Sequence, residues 1–366
     1  MTTAASPGAS PGAPAALSLG DWVDASADLY PDRRAFVCLP TGRTVTFAES
    51  AGETGGIARG LRDVHGIGAG DRVAVLATDC HLYVELFLAC AKLGATVVPL
   101  NYRLPEHELR GFVERSGARL LVVGAEYAEL AAQVAAATGV RTTGLTGAGR
   151  PEEPIEALTG FEPLPSEPCD DDAIFALCFT SGTTGTAKAV QQPQRMLKQL
   201  ISTFAIEYEV GDPAEEFRYS ASPMFHVAGI SIVLLGVARG FPMLVQKQFD
   251  AETTRHWMAD GLTNAFLVPT MLRMILDLPG TAEMDFDSLR SILYGASPMT
   301  PGLLRECMDT FGCDFVNVFG AGTETGLQAI LRSSDHRRAR WRGVRSCSAR
   351  SGGRRSGCAC GWSTTR

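Results

Sequence analysis

Residues 66–100 read GIGAGDRVAVLATDCHLYVELFLACAKLGATVVPL. Two short apolar, β-branched runs, Arg72–Ala77 and Ala95–Leu100, flank a longer stretch, His81–Leu93, whose apolar residues recur at helical spacing. Strand, helix and strand in that order make a βαβ unit, because a parallel pair needs a crossover about as long as this one. Gly66, Gly68 and Gly70 do not make it a dinucleotide site. They follow a helix and precede a strand, whereas a pyrophosphate turn follows a strand, has the spacing G-x-G-x-x-G and opens a helix. They read as a helix-to-strand turn.

The same alternation continues on both sides. Ala48–Val64 reads as a helix before the unit, and Pro105–Ser116 as a helix after it. Arg119–Val123 then reads as a strand and the Ala-rich Tyr127–Ala137 as a helix. Residues 139–171, rich in Gly, Pro, Thr and Glu, read as a linker or long surface loop. A second alternating unit runs from Ala173 to Leu331, and no fixed-period repeat is present. The expected fold class is α/β, with mostly parallel sheets and two βαβ-type subdomains.

Composition narrows the class. The chain has 366 residues, 45% hydrophobic and 20% charged, enough for two or three domains with substantial cores. The longest unbroken apolar run is Ala173–Phe179, too short to span a bilayer. The first twenty residues are biased to Ala, Pro, Ser and Gly without Lys or Arg, so residues 1–20 read as disordered rather than as a secretory signal. Cys38, Cys80, Cys90, Cys169, Cys178, Cys307 and Cys313 lie singly in mostly apolar segments, as free thiols do in a reducing compartment, and a cytoplasmic location is expected. Trp257, Met258, Met271 and Met274 fall at helical spacings and read as core packing.

The net charge of −7 conceals a break. Residues 337–366 carry nine Arg and no acidic residue, and Leu, Ile, Phe and Met are absent after Leu331. A basic arm for nucleic acid or anionic lipid is one reading of this tail. The other is a non-native or disordered extension of the kind a shifted reading frame leaves, and the missing period and missing Lys favour it; no nucleic-acid partner is expected. Cys358 and Cys360 lack a second pair or a nearby His, so no metal site is assigned to them.

The stretch richest in chemistry is FTSGTTGTAKAV, Phe179–Val190, directly after the apolar run. Its glycines let successive backbone N–H groups converge on one anion, and the hydroxyls of Thr180, Ser181, Thr183 and Thr184 add donors. Lys188 supplies a point charge. The pattern suits a polyphosphate, yet it lacks the G-x-x-x-x-G-K-[ST] spacing of a Walker loop.

This segment resembles the signature loop of the adenylate-forming (AMP-binding) superfamily of acyl- and aryl-CoA synthetases, usually aromatic-T-S-G-T-T-G-x-P-K-G. The stretches GIGAGDRVAVLATD, ACAKLGATVVPLNYRL, PMFHVAGI, LYGASPM and FGAGTETG follow in the family's order, so the resemblance covers about residues 20–336. It implies the large N-terminal domain of such enzymes over residues 21–336. It implies that Thr180, Ser181, Gly182, Thr183, Thr184, Gly185 and Lys188 form a loop over the β- and γ-phosphates of ATP. His226 would stand between nucleotide and acyl pocket, Gly295, Ala296 and Ser297 would line the adenine and acyl floor, and Phe319 would face adenine. Thr323 would contact phosphate and Glu324 would hold Mg²⁺. The activity implied is ATP-dependent activation of a small-molecule carboxylic acid to an acyl-adenylate, followed by thioester formation with coenzyme A. Amino-acid-activating members place an acidic residue near PMFHVAG to hold the substrate ammonium. Ser220–Gly229 has none, so a fatty or aryl acid is expected.

There are departures from the pattern. Ala187 stands where the family has Pro, Ala189 where it has Gly, and Phe319–Glu324 is one residue longer than aromatic-G-x-T-E, matching aromatic-x-A-G-T-E equally well. The family's Y-x-T-G-D element, its hinge and the small C-terminal domain with the catalytic lysine have no counterpart where the Arg-rich tail stands. A C-terminally truncated enzyme is therefore expected, with a catalytically incompetent fragment as the alternative.

Overall fold

The computed structural model describes residues 17–146, 154–165, 170–180, 187–208, 210–320 and 322–342. The chain begins with α1 (Asp21–Leu29), β1 (Arg34–Cys38), β2 (Arg43–Thr46) and α2 (Phe47–Asp63). Then come β3 (Arg72–Leu76), α3 (His81–Lys92), β4 (Thr96–Pro99), α4 (Glu106–Ser116), β5 (Leu120–Val123), α5 (Ala128–Thr138) and β6 (Arg141–Gly144). A short α6 (Ile155–Leu158) precedes β7 (Ile174–Thr180) and β8 (Lys188–Pro193). The second run is α7 (Gln194–Glu207), β9 (Arg218–Ser220), α8 (Val227–Arg239), β10 (Met243–Val245), α9 (Ala251–Ala259), β11 (Asn264–Leu267) and α10 (Pro269–Leu276). It ends with β12 (Ser291–Gly295), α11 (Pro301–Phe311), β13 (Asp314–Phe319), α12 (Gly322–Thr325), β14 (Ala329–Leu331) and α13 (Ser333–Arg342).

The strands form two sheets. One has six strands in the order β6-β5-β3-β4-β7-β8, and the other eight in the order β14-β13-β12-β11-β9-β10-β1-β2. Both are parallel except at their hairpin partners: β8 runs antiparallel to β7, β14 to β13 and β2 to β1. The expected α/β class with two βαβ units is what forms.

The local causes are legible. Thr46 and Glu49 close a reciprocal capping box on α2, with Glu49 N–H donating to Thr46 Oγ1 at 3.2 Å and Thr46 N–H to Glu49 Oε2 at 2.8 Å. Strand β3 alternates between two cores: Val73 and Val75 face one, Ala74 and Leu76 the other. The largest core joins both sheets, with Val97 and Phe175 from one and Phe36, Met243 and Val316 from the other, through the apolar helices α3 and α8.

Three expectations change. The 139–171 segment is not wholly loop, since it contributes edge strand β6 and helix α6. Met258 is fully buried, and Trp257 and Met271 pack against the same core, but Met274 is 53% exposed because Leu272 and Ile275 take the inner face of α10. The break at Arg337 is not a structural boundary, because α13 runs through it to Arg342, with Arg337 paired to Asp314 and His336 hydrogen-bonded to the Tyr294 hydroxyl at 2.9 Å. Cys38, Cys80, Cys90, Cys178, Cys307 and Cys313 are free and buried as expected; Cys169 and residues 1–16 and 343–366 lie outside the described residues.

Helix α3 buries two charges in this shared layer. Lys92 pairs with Asp24. Glu85 is fully buried and lies among Ser50, Glu53 and His81; burial, then the Glu53 charge, push its carboxyl well above the usual carboxylate value. The folded chain thus holds a proton on Glu85 at pH values where the unfolded chain has released it, and stability falls as pH rises above about 4.5. His81, pushed down to about 4 by burial and then by Arg43, acts in the opposite sense below its usual 6.5. The Glu85→Gln variant is expected to gain stability relative to the parent by about 1.4 kcal/mol per pH unit until the Glu85 proton is lost. Denaturant midpoints of both proteins at pH 5.5 and 8 check this; an identical pH dependence would contradict it.

Candidate functional site

Of the residues singled out in the sequence, Thr180, Gly295 and Phe319 stand at the carboxyl ends of strands, where open α/β sheets place their ligands. Thr180 ends β7 and lies directly across the ladder from Lys188, the first residue of β8. The connecting residues Ser181, Gly182, Thr183, Thr184 and Gly185 lie outside the described residues. Both ends of this connection are anchored on α4. Phe179 stacks on Phe112 with ring centroids 4.1 Å apart, and the Arg115 guanidinium lies 5.0 Å from the Phe179 ring. Arg115 also donates to the Ala187 carbonyl at 2.7 Å. Lys188 is exposed and has no salt-bridge partner among the described residues.

Strand alternation puts Lys188, Val190 and Gln192 on one face of β8. Gln192 is buried and donates through Nε2 to the Thr323 carbonyl, which ties α12 to that face. Thr323 and Glu324 are thereby brought to the strand that begins with Lys188. Thr323 is half-buried, and Glu324 is exposed without a salt-bridge partner among the described residues.

The opposite wall comes from the eight-stranded sheet. Gly295 pairs with Val318, so the residues after β12 and β13 leave the sheet side by side. A side chain at Gly295 would put its Cβ 2.4 Å from the Val318 carbonyl oxygen, so the floor requires glycine. Ala296 has φ of 64°, the one non-glycine residue with positive φ among the described residues. Such strain persists only where the surroundings enforce it, and it marks the bend that exposes Ser297. Phe319, 51% exposed at the end of β13, offers an open aromatic face. At Gly320 a Cβ would meet the Gly326 carbonyl oxygen at 2.2 Å, which holds the turn into α12 close to the chain that leaves it.

His226 immediately precedes α8. Its ring packs on Phe225 at 4.4 Å, and Phe225 meets Tyr102 edge-on at 5.1 Å. The ring is open to solvent on one side and crowded by protein on the other. That crowding, and then the Arg103 charge, keep His226 below the ordinary imidazole value and hence neutral at neutral pH. Arg103, Tyr102, Arg115 and Asp79 were not singled out in the sequence. Each acts on a site segment far away in the chain, and no local pattern marks it.

Two other features do not belong to this site. Glu53, His81 and Glu85 bring three potential metal ligands together, but Arg43 pairs with Glu53 at 2.6 Å and reaches His81 Nε2 at 3.3 Å, so a guanidinium already supplies the positive charge there. A cleft of about 600 Å³ opens at the amino ends of β3, β4 and β7, the edge opposite Thr180. Its Arg72 guanidinium is taken up by the carbonyls of Gly70, Ser116 and Gly117.

The site's donors suit a nucleotide and its metal. The glycine floor, the open Phe319 face and the Lys188 charge could hold a flat ring and an anionic group. Glu324 offers an exposed carboxylate, the hard oxygen ligand type that could hold Mg²⁺.

The AMP-binding enzyme family matches residues 23–349. The chain is 32% identical over 318 residues to fatty acid–[acyl-carrier-protein] ligase ScoC of Streptomyces coeruleorubidus, covering 82% of this chain and 57% of that protein. It is 30% identical over 320 residues to feruloyl-CoA synthase of an Amycolatopsis species, covering 87% and 62%. The N-terminal domain of FACL13 from Mycobacterium tuberculosis superposes with a TM-score of 0.80 at 26% identity, over 88% of this chain and 80% of that one. The chain thus spans about three fifths of the length of these curated relatives.

Proposed function

The chain belongs to the AMP-binding enzyme family, and from that premise we propose that the site around Lys188, Thr323 and the Gly295–Ser297 bend binds ATP with Mg²⁺ and joins a fatty or aryl carboxylic acid to the α-phosphate, giving an acyl-adenylate and pyrophosphate. The observation that supports this reading most is the Gln192–Thr323 link, which ties α12, with Thr323 and Glu324, to the strand that Lys188 opens. A carboxylate approaching a phosphate meets strong charge repulsion, so the chain's contribution is positioning and fixed positive charge. Lys188 and the hydroxyls from Thr180 onward hold the outer phosphates as pyrophosphate leaves. Mg²⁺, held by Glu324, would offset the phosphate charge, and Thr323 would contact phosphate. His226, neutral and beside the acyl side, orients the incoming carboxylate by hydrogen bonding.

The absence of an acidic residue from Ser220 to Gly229 supports an acid without an ammonium group. The second half-reaction is assigned to the thiol of coenzyme A. No helix among the described residues is long and apolar enough to cross a membrane, and the buried free thiols support a cytoplasmic site of action.

Exchange of labelled pyrophosphate into ATP tests the reading. Fatty or aryl acids are expected to support exchange and amino acids are not. Exchange with an amino acid would overturn the substrate class. Nucleotide binding without exchange for any acid would instead describe a piece that holds ATP and does not turn it over, in keeping with the share of its relatives that the chain spans. Adding coenzyme A or an acyl-carrier protein to an active mixture identifies the acceptor.

A further inference from the structure

Asp79 lies in the turn between β3 and α3, on the six-stranded sheet, and is 9% exposed. Its carboxylate accepts the Met224 N–H on both oxygens, at 3.1 and 3.2 Å. Its own N–H donates to the Lys247 carbonyl, just past β10. One buried acid therefore reaches from one sheet to two segments of the other. Met224 lies two residues before His226 in a tight turn, where His226 N–H donates to the Pro223 carbonyl at 2.9 Å and Gly229 N–H to the His226 carbonyl at 3.0 Å. The turn also rests on α8 with no space to spare, since a Cβ at Gly229 would lie 2.3 Å from the Pro223 oxygen.

We propose that Asp79 is a positioning residue for His226: by gripping the Met224 amide it fixes the turn that carries the imidazole, and so links that turn to the six-stranded sheet that carries Thr180 and Lys188. The inference rests on the adenylation reading for its consequence in catalysis, but not for its geometry. An ionised acceptor makes a hydrogen bond roughly twice as strong as a neutral one, so the grip depends on the Asp79 charge. Burial raises this carboxyl to about 7, against the opposing effects of the Met224 amide and Arg103.

The other groups facing Asp79 do not titrate in that range. Tyr83 and Cys80 of α3 and its preceding turn, Tyr102 beside Arg103, and Tyr219 of β9 are all raised above their usual values by burial. Lys247 contributes its carbonyl, its ammonium being paired with Glu126 at 3.2 Å. Of the described groups around the turn, Asp79 is the acid raised into the neutral range, while His226 is held below its usual value.

The test uses the full chain, with pyrophosphate exchange and the NMR titration of the His226 ring, assigned through His226→Asn. In the parent, exchange is expected to rise through an acid limb near pH 7, with a matching inflection in the His226 signal. Asp79→Asn keeps an oxygen for the Met224 amide but cannot ionise. It should hold kcat near the parent's low-pH level at every pH and so lose both the limb and the inflection. Asp79→Ala should lower kcat about tenfold or more with KM for ATP little changed, the signature of misplacement rather than lost binding. If Asp79→Ala fails to fold, Asp79→Asn carries the test alone. An unchanged limb and inflection in Asp79→Asn would overturn the proposal. A parent that shows no exchange while its His226 signal still follows Asp79 would overturn the adenylation reading and leave the positioning role intact.

Discussion

Lys188→Ala is expected to reduce pyrophosphate exchange about 10²- to 10³-fold, the usual cost of removing one well-aimed donor from developing charge. The expectation is sharp because Lys188 does nothing else visible. It is exposed at the start of β8 and has no salt bridge among the described residues, and its place in the strand needs only its backbone, opposite Thr180. Thermal stability should therefore stay within the range of ordinary surface substitutions, about 0.5 kcal/mol. Lys188→Arg should recover only part of the loss, because a planar fork replaces a compact ammonium. Exchange rates and melting curves for the three proteins separate a phosphate contact from a structural one. A variant that loses activity and stability together would count against the assigned role.

The largest effect on stability is expected at Glu216→Ala. Arg218 lies on β9, inside the eight-stranded sheet between β10 and β11, and both it and Glu216 are almost wholly buried, at 1% and 3% exposure. Arg218 Nε donates to Glu216 Oε2 at 2.9 Å. The guanidinium lies between Tyr208 and Phe241, 4.5 and 5.0 Å from their ring centres, and its two terminal nitrogens have no hydrogen-bond partner among the described residues. Burial raises the Glu216 carboxyl, but the hydrogen bond and charge of Arg218 more than offset this and leave it below its usual value. Glu216 also accepts from Gly211 N–H at 3.0 Å. Removing the carboxylate leaves a buried charge whose remaining neighbours are the faces of two rings. A loss of about 3–5 kcal/mol is expected, equivalent to a fall in melting temperature of roughly 5 °C for a chain of this length. The double variant Glu216→Leu, Arg218→Met should recover most of it, because two apolar side chains of similar size need no partner. A single variant that melts with the parent would contradict this.

The parts of the fold and site that the sequence revealed share a physical cause. β3, α3 and β4 were legible because burial on both faces makes their apolar runs continuous and their periods clean. β6 was missed because Arg141–Gly144 is a polar edge strand, half-exposed, with no alternation to read. Met274 was misplaced because spacing assigns a stripe to a helix but does not say which edge of the stripe meets solvent. In the site, the hydroxyls, glycines and charges cluster locally, so Thr180, Lys188, Gly295, Thr323 and Glu324 could be picked out. Asp79 could not, because its partner Met224 is 145 residues away and only the packing of two sheets brings them together. The same holds for Arg115, 72 residues before the Ala187 carbonyl it binds.

Crystals of the chain grown with Mg²⁺ and a non-hydrolysable ATP analogue test the central claim most directly, through the difference density at the nucleotide. Outer phosphates against Lys188 and the Thr180 end of the connection, with the base over the Gly295–Ser297 bend, are the predicted result. A triphosphate bound in the cleft beside Arg72, with Lys188 left in open solvent, would contradict it.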